Sequence, residues 1–152
     1  AVGGDGRLAV DPAGELIRVN LLEKLTVPAL AKLSNLVPGG GIWMNTQRPE
    51  WNDANNALVG HGLSMVTLYY LRRYVSFLAR LLEGLEEVVL SSEVGHWLID
   101  TTFALRRARP LLDEPAVSAE QRYGLLMELG RAASDYREAV YAGASRSVTS
   151  VQ

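Results

Sequence analysis

One long apolar helix limits the possible folds of this sequence more than any other feature. Ser64 is a suitable N-cap for a helix that runs to about Leu82. Its polar side is narrow and consists of Arg72, Arg73 and Arg80. Apolar residues cover most of the remaining circumference: Met65, Val66, Leu68, Tyr69, Leu71, Val75, Phe77, Leu78, Leu81 and Leu82. Such a helix is typical of one packed between other helices, so the sequence predicts a mainly α protein.

Capping residues indicate three further helices. The first is predicted to begin at Thr26 and to end before the Gly-rich run. The second is capped by Ser92, runs from Glu93 to about Ala108 and is stopped by Pro110. The third begins at the capping box formed by Ser118 and Gln121 and continues to about Tyr141.

The sequence predicts little extended structure. Residues 7–19 place Asp-Pro-Ala-Gly between two short apolar runs, which predicts a small N-terminal β-hairpin. Residues 87–90 are consistent with a short extended link, and the C-terminal SRSVTSVQ is typical of a frayed tail. Residues 38–62 predict a long polar loop, and loops of this length are uncommon in compact domains unless they have a function.

Composition and charge exclude several classes of function. The 152 residues suit a single domain, and a net charge of −2 with mixed signs provides no basic surface for nucleic acid. Residues 54–71 carry no formal charge, but the polar side chains and glycines among them argue against a membrane-spanning helix. The absence of cysteine excludes thiolate metal sites and leaves the cellular compartment open. We predict no metal site and no cofactor.

The polar segment 48–60, RPEWNDANNALVG, concentrates side chains suited to binding a sugar. An exposed Trp51 would offer a flat apolar surface to a sugar ring, and Asn52 would supply a donor and an acceptor for hydroxyl groups. A carboxyl group beside apolar surface can retain its proton and act as a general acid, a role open to Asp53. Further candidate substrate contacts in this segment are Arg48, Glu50, Asn55 and Asn56.

The same residues also have a structural explanation. Asp53, Asn55 and Asn56 are good turn and cap residues, and Trp51 can be a core residue. Trp43, just upstream in GGGIWMN, is either an anchor for the loop or a second platform for a sugar ring. Composition and spacing leave both explanations open.

The residues from Trp51 onward, WNDANNALVGHGLSMVTLYYLRRYV, resemble the catalytic segment of the cellobiose and chitobiose phosphorylase family. In that family a Trp-Asn-Asp triplet is followed by Gly-rich polar residues, a Val-Gly pair and a long aromatic-rich helix. The resemblance implies that Asp53 is the general acid and that Trp51 lies against the sugar. It also implies the (α/α)6 toroid of the six-hairpin glycosidases, to which residues 64–141 would contribute helical hairpins.

By this resemblance, residues 1–152 form a single domain that is a fragment of a larger (α/α)6 catalytic domain. The expected substrate is an oligosaccharide or glycoside, and either water or inorganic phosphate attacks the glycosidic bond. The rest of the parent chain is an expected partner, whereas nucleic acid and membrane are not. The alternative is a non-catalytic helical interaction module in which residues 48–60 only cap and pack, because a helical fold alone does not imply an activity.

Overall fold

Helices dominate the structure, a computed structural model that describes residues 10–11, 13–45, 61–143 and 147–151. The α-helices are α1 (Leu21–Leu33), α2 (Met65–Leu81), α3 (Ser92–Ala108) and α4 (Ala119–Gly143). The strands are β1 (Ile42–Asn45), β2 (His61–Ser64), β3 (Val88–Ser91) and β4 (Val148–Val151). A short 3-10 helix, Arg109–Leu112, follows α3 and contains the proline that ends it.

Two of the predicted helix starts are confirmed by their capping contacts. The Ser64 hydroxyl accepts the backbone N–H of Thr67 at 3.1 Å, and α2 begins at the next residue. Before α4, the Ser118 hydroxyl accepts the N–H of Gln121 at 3.2 Å, while the Gln121 side chain accepts the N–H of Ser118 at 2.7 Å. These contacts are local in sequence, which explains why pattern alone identifies them.

The predicted start of α1 is wrong, and that of α3 differs by one residue. The side chain of Asn20 accepts the N–H of Glu23 at 2.8 Å, so α1 begins well before Thr26. Pro28 therefore lies inside α1 rather than in its first turn. Helix α3 begins at Ser92 itself, and its N-cap is the preceding serine.

Two antiparallel ribbons connect the helices. In the first, β1 pairs with β2, from Ile42 opposite Ser64 to Asn45 opposite His61. In the second, β3 pairs with β4. Both ribbons correct the sequence analysis, since the first lies largely in the predicted loop 38–62 and β4 lies in the predicted frayed tail. Strand β3 agrees with the extended link predicted for residues 87–90. The other three strands have only four residues each and pair with segments distant in sequence, so no local pattern marks them.

Two apolar cores share α1. The first core packs α1 against β3, α3 and α4, and its buried residues are Leu30, Leu90, Val94, Trp97, Ala132 and Ala133. The second packs α1 against β1 and α2, and its buried residues are Ala29, Ile42 and Leu71. Because Ala29 and Leu30 are adjacent in the helix, they point to different sides of it, and α1 joins the two cores.

Helix α2 packs on one side only. Its buried residues are Leu71 and Leu78, and it packs mainly against α1 and β1. The Tyr74 hydroxyl donates a 2.8 Å hydrogen bond to the carbonyl of Leu25 in α1. The remaining sides of α2 carry exposed aromatic, aliphatic and arginine side chains. The expectation that α2 lies between several helices is therefore wrong for the part of the chain that the structure describes.

The predicted (α/α)6 toroid is also wrong. The described chain has four helices and two small two-stranded sheets, and it is too small to show a toroid. Where the sequence predicts an N-terminal β-hairpin, the described residues form a single antiparallel bridge between Val10 and Leu16. The Asp11 carboxylate closes this turn by accepting the N–H groups of Ala13 and Glu15 at 3.0 and 2.8 Å. The Asp11 N–H also donates to the carbonyl of Glu15 at 2.9 Å, so the turn is closed by backbone and side-chain bonds together.

Gly95 of α3 is expected to be essential for the packing of β4. A Cβ atom at this position would overlap the Thr149 side chain and lie 3.7 Å from Cγ2 of Val151. Gly95→Ala should therefore lower the free energy of unfolding by about 1–3 kcal/mol, despite the better helix propensity of alanine. Urea denaturation followed by circular dichroism measures this change.

Gly124 of α4 supplies the matched control, because no heavy atom lies within 4 Å of a Cβ placed there. Gly124→Ala should raise the free energy of unfolding by about 0.5–1 kcal/mol. Thr149→Ser removes the methyl group that Gly95→Ala would meet, so the double variant should recover most of the loss. Equal stabilisation by both glycine replacements would contradict the packing of β4 on α3.

Candidate functional site

The β1–β2 ribbon joins the two ends of the segment that the sequence predicts to bind a sugar. Asn45 and His61 are paired, so the residues that precede and follow the segment 46–60 lie next to each other. Ile42 is fully buried and anchors the ribbon in the second core. Because α2 begins directly after β2, the ribbon is also fixed to a long helix.

Trp43 is the one predicted site residue within the described part of the chain. The others lie outside it: Arg48, Glu50, Trp51, Asn52, Asp53, Asn55 and Asn56. Trp43 alternates with the buried Ile42 along β1, and its side chain is 45% exposed. Its backbone N–H donates to the carbonyl of Asn35 at 2.7 Å. The backbone is therefore fixed while much of the indole remains accessible.

Leu63 extends the apolar surface beside Trp43. The two residues are directly opposite in the ribbon, and Leu63 is 40% exposed. A Cβ on Gly40 would lie 2.6 Å from Cδ1 of Leu63, and one on Gly41 would lie 3.0 Å from the carbonyl oxygen of Ser64. The Gly-rich run therefore allows the chain to pass close to β2, a role that the sequence pattern does not reveal.

His96 and Trp97 are neighbours in α3, and their side chains lie in different surroundings. Trp97 is 4% exposed and stacks on Tyr136 with 4.3 Å between ring centroids, whereas His96 is exposed. The side chain of His61 lies outside the described residues. No group of three or more His, Cys, Asp or Glu side chains among the described residues could hold a metal ion.

A buried carboxylate that the sequence analysis did not predict lies at the start of α3. Glu23 is 6% exposed, and its two carboxylate oxygens accept the backbone N–H and the hydroxyl of Ser91, each at 2.7 Å. Ser91 is the N-cap of α3 but makes no side-chain capping bond to that helix. Glu23 supplies a negative charge to this helix end, where exposed N–H groups favour an anion.

A signal for Glu23 was present in the sequence. It precedes Leu30 by two helical turns, so it occupies the same face of α1 as a buried core residue. A charged residue on an apolar helix face requires a buried partner. Pattern alone could not identify Ser91 as that partner. Both carboxylate oxygens of Glu23 accept hydrogen bonds from Ser91. The contact therefore joins α1 to the start of α3.

Tyr136 of α4 lies next to this contact. Burial raises the pKa of its hydroxyl above the usual value of 10.0, and the negative charges of Glu23 and Glu93 raise it further. The folded state thus favours the neutral phenol. The stability that depends on a neutral Tyr136 is fully present below the pKa of tyrosine in the unfolded chain. It is lost as pH rises through the higher pKa of Tyr136 in the folded protein.

The Tyr136→Phe variant should therefore lose less stability than the wild-type protein between about pH 9 and pH 11. Urea denaturation at several pH values measures the difference. Tyr123→Phe, which removes the hydroxyl of an exposed tyrosine on the same helix, is the control and should follow the wild-type protein. Parallel alkaline losses in the wild-type and Tyr136→Phe proteins would contradict the effect.

The comparisons with known proteins add no family to this description. No protein-family model matches the sequence. No curated protein matches it significantly. Among the described helices, none has both the length and the apolar character needed to cross a membrane. The functional interpretation therefore depends on the residues themselves and on the sequence resemblance carried by residues 51–75.

Proposed function

We propose that the chain is a segment of a carbohydrate-active enzyme that cleaves glycosidic bonds, with Asp53 as the general acid. The observation that carries the proposal is the Trp-Asn-Asp order at residues 51–53, directly before a long aromatic-rich helix. The ribbon that joins the ends of residues 46–60 supports it, because a binding segment gains precision when both ends are fixed to rigid elements.

Trp43 gives structural support at the base of the same segment. Its indole ring is accessible, as a platform for the apolar face of a sugar requires, whereas a residue that only anchors a loop would be buried. Leu63 lies beside it and widens the apolar surface. Trp43 and Trp51 could then contact neighbouring sugar units, with Asn52 forming hydrogen bonds to hydroxyl groups. Arg48, Glu50, Asn55 and Asn56 are proposed as further polar contacts.

The proposed reaction requires two groups besides the sugar. Asp53 donates its proton to the glycosidic oxygen as the bond to the anomeric carbon breaks. The attacking group at the anomeric carbon is either water, activated by a second carboxylate, or inorganic phosphate. Attack by water releases a free sugar, and attack by phosphate releases a sugar 1-phosphate.

The proposal is tested by incubating the full-length polypeptide that contains this chain with a set of unactivated disaccharides of α and β linkage, with and without inorganic phosphate. Chromatography of the products distinguishes a free sugar from a sugar 1-phosphate. Phosphate-dependent product indicates phosphorolysis, and phosphate-independent product indicates hydrolysis. No turnover of any glycoside by the folded protein would reject the enzymatic proposal and leave the helical interaction module.

The Trp43→Ala variant of the active protein should raise KM for an oligosaccharide about fivefold, since one aromatic contact is worth about 1 kcal/mol. Its kcat should change much less, because Trp43 is not proposed to react. Trp43→Phe retains an aromatic face, so its KM should lie between those of the wild-type protein and Trp43→Ala. Val89→Ala, at an exposed apolar position on the other ribbon, is the control. An unchanged KM in Trp43→Ala would remove Trp43 from the site without affecting the role of Asp53.

A further inference from the structure

The outer side of α2 carries a second apolar stripe that the described structure leaves uncovered. The stripe consists of Val66, Tyr70, Phe77 and Leu81, which are 65%, 64%, 46% and 51% exposed. Spacings of four, seven and four residues place these side chains on one face of a helix. Around the helix axis, this outer stripe lies about 110° from Leu71, which belongs to the second core.

All the charges of α2 are positive. Arg72, Arg73 and Arg80 are exposed, and no acidic residue occurs between Met65 and Leu81. The guanidinium of Arg73 lies 5.7 Å from the ring centroid of Tyr70, so it is held against the outer stripe itself. A ligand that covered the stripe would remove water from Arg73, and a buried guanidinium requires a carboxylate or another anion.

The length of the outer stripe matches a helical partner. Val66 and Leu81 are separated by about 22 Å along the helix axis, the length of about four helical turns. An exposed apolar stripe of this kind on a soluble protein is typical of an interaction surface. Aromatic side chains and arginine are also the residue types enriched at the centres of protein interfaces.

The charges distinguish between possible occupants. A second copy of α2 would bring Arg73 and Arg80 close to arginines of the same sign, which is destabilising in a water-poor interface. In an interfacial membrane helix the basic residues lie on the polar face, away from the apolar stripe, whereas Arg73 lies on the stripe. A helix that carries carboxylates beside its own apolar stripe satisfies both the apolar and the charged groups of α2.

We propose that the outer stripe of α2 docks an amphipathic helix of a partner protein, in which Asp or Glu residues flank an apolar stripe. Leucine-type side chains of the partner pack on Val66, Phe77 and Leu81. Its carboxylates form ion pairs with Arg73 and Arg80. The proposal does not depend on the proposed glycosidase activity.

The probe is a monomeric stapled helical peptide with leucines along one stripe and glutamates on both flanks. A second peptide with lysines in place of the glutamates is the control. Fluorescence anisotropy of labelled peptide should show at least about tenfold tighter binding of the glutamate peptide at low salt, a difference of about 1.4 kcal/mol. Added salt should reduce this preference.

The double variant Arg73→Glu/Arg80→Glu should reverse the preference and bind the lysine peptide more tightly. Both positions are exposed, so the variant should remain folded, which circular dichroism verifies. Arg131→Glu, at an exposed position of α4, is the control and should retain the wild-type preference.

Three results would overturn the proposal. The first is equal affinity for the two peptides, or no binding of either by the folded protein. The second is sedimentation showing a dimer that Phe77→Glu dissociates, which would assign the stripe to a second copy. The third is binding to phosphatidylserine vesicles that Arg73→Glu/Arg80→Glu abolishes and the glutamate peptide does not inhibit, which would assign it to a membrane surface.

Discussion

Replacing Asp53 by Asn should lower turnover of an unactivated glycoside by a factor on the order of 10²–10⁴, the usual contribution of general acid catalysis. Asparagine retains the shape and most of the hydrogen bonding of aspartate but has no carboxyl proton to donate. A substrate with a good leaving group requires little protonation of the departing oxygen, so it should lose much less activity. Steady-state kinetics of the full-length protein on both substrates measures this contrast.

The Asp53→Asn experiment also separates catalysis from capping. Asparagine caps a helix about as well as aspartate, so the free energy of unfolding should change little. Asn52→Asp/Asp53→Asn keeps the composition of the triplet but moves the carboxyl group by one residue, and it should not restore turnover. Full activity of folded Asp53→Asn on the unactivated glycoside would show that residue 53 has only a structural role.

The Glu23→Ala variant should lower the free energy of unfolding by about 3 kcal/mol, the worth of hydrogen bonds to a charged group whose partners are left buried. The loss arises because the N–H and hydroxyl of Ser91 would each lose a 2.7 Å contact. For a chain of this size the melting temperature should fall by about 6–12 °C. Differential scanning calorimetry measures both quantities.

Two variants test the cause of this loss. Glu23→Gln retains one acceptor oxygen and should lose about half as much stability as Glu23→Ala. Glu86→Ala removes an exposed carboxylate and should change the free energy of unfolding by no more than about 0.5 kcal/mol. If Glu23→Ala were no more destabilising than Glu86→Ala, the buried contact with Ser91 would contribute nothing to stability.

Helix starts are predictable from sequence when their caps are local. Ser64 before α2 and the Ser118–Gln121 pair before α4 bind residues three positions away, so a short pattern contains the whole interaction. At α1 two local signals compete, because Thr26 and Asn20 are both suitable cap residues. Only the structure shows that the Asn20 side chain accepts from Glu23, and also donates to the carbonyl of Val89 at 2.6 Å.

Contacts between distant residues account for what the sequence did not predict. Strand β4 is ordered by pairing with β3 and by packing on Gly95, and neither partner is marked in the C-terminal pattern. The toroid was implied only by the resemblance of residues 51–75, and so short a match does not specify how the helices are connected. Glu23 and Ser91 likewise meet only after α1 and α3 have packed. For the site, the sequence identified Trp43 as a candidate but not its exposure.

The position of α1 between two cores has a consequence for local unfolding. The second core contains only three buried apolar residues and holds the β1–β2 ribbon and α2, whereas α3 and α4 pack in the first core. Cooperative opening of α2 and the ribbon can therefore occur while α1, α3 and α4 remain assembled. Amide hydrogen exchange would resolve such an opening as a separate group of faster-exchanging residues. The element that carries both ends of residues 46–60 would then rearrange at a lower free energy than global unfolding, without loss of the remaining structure.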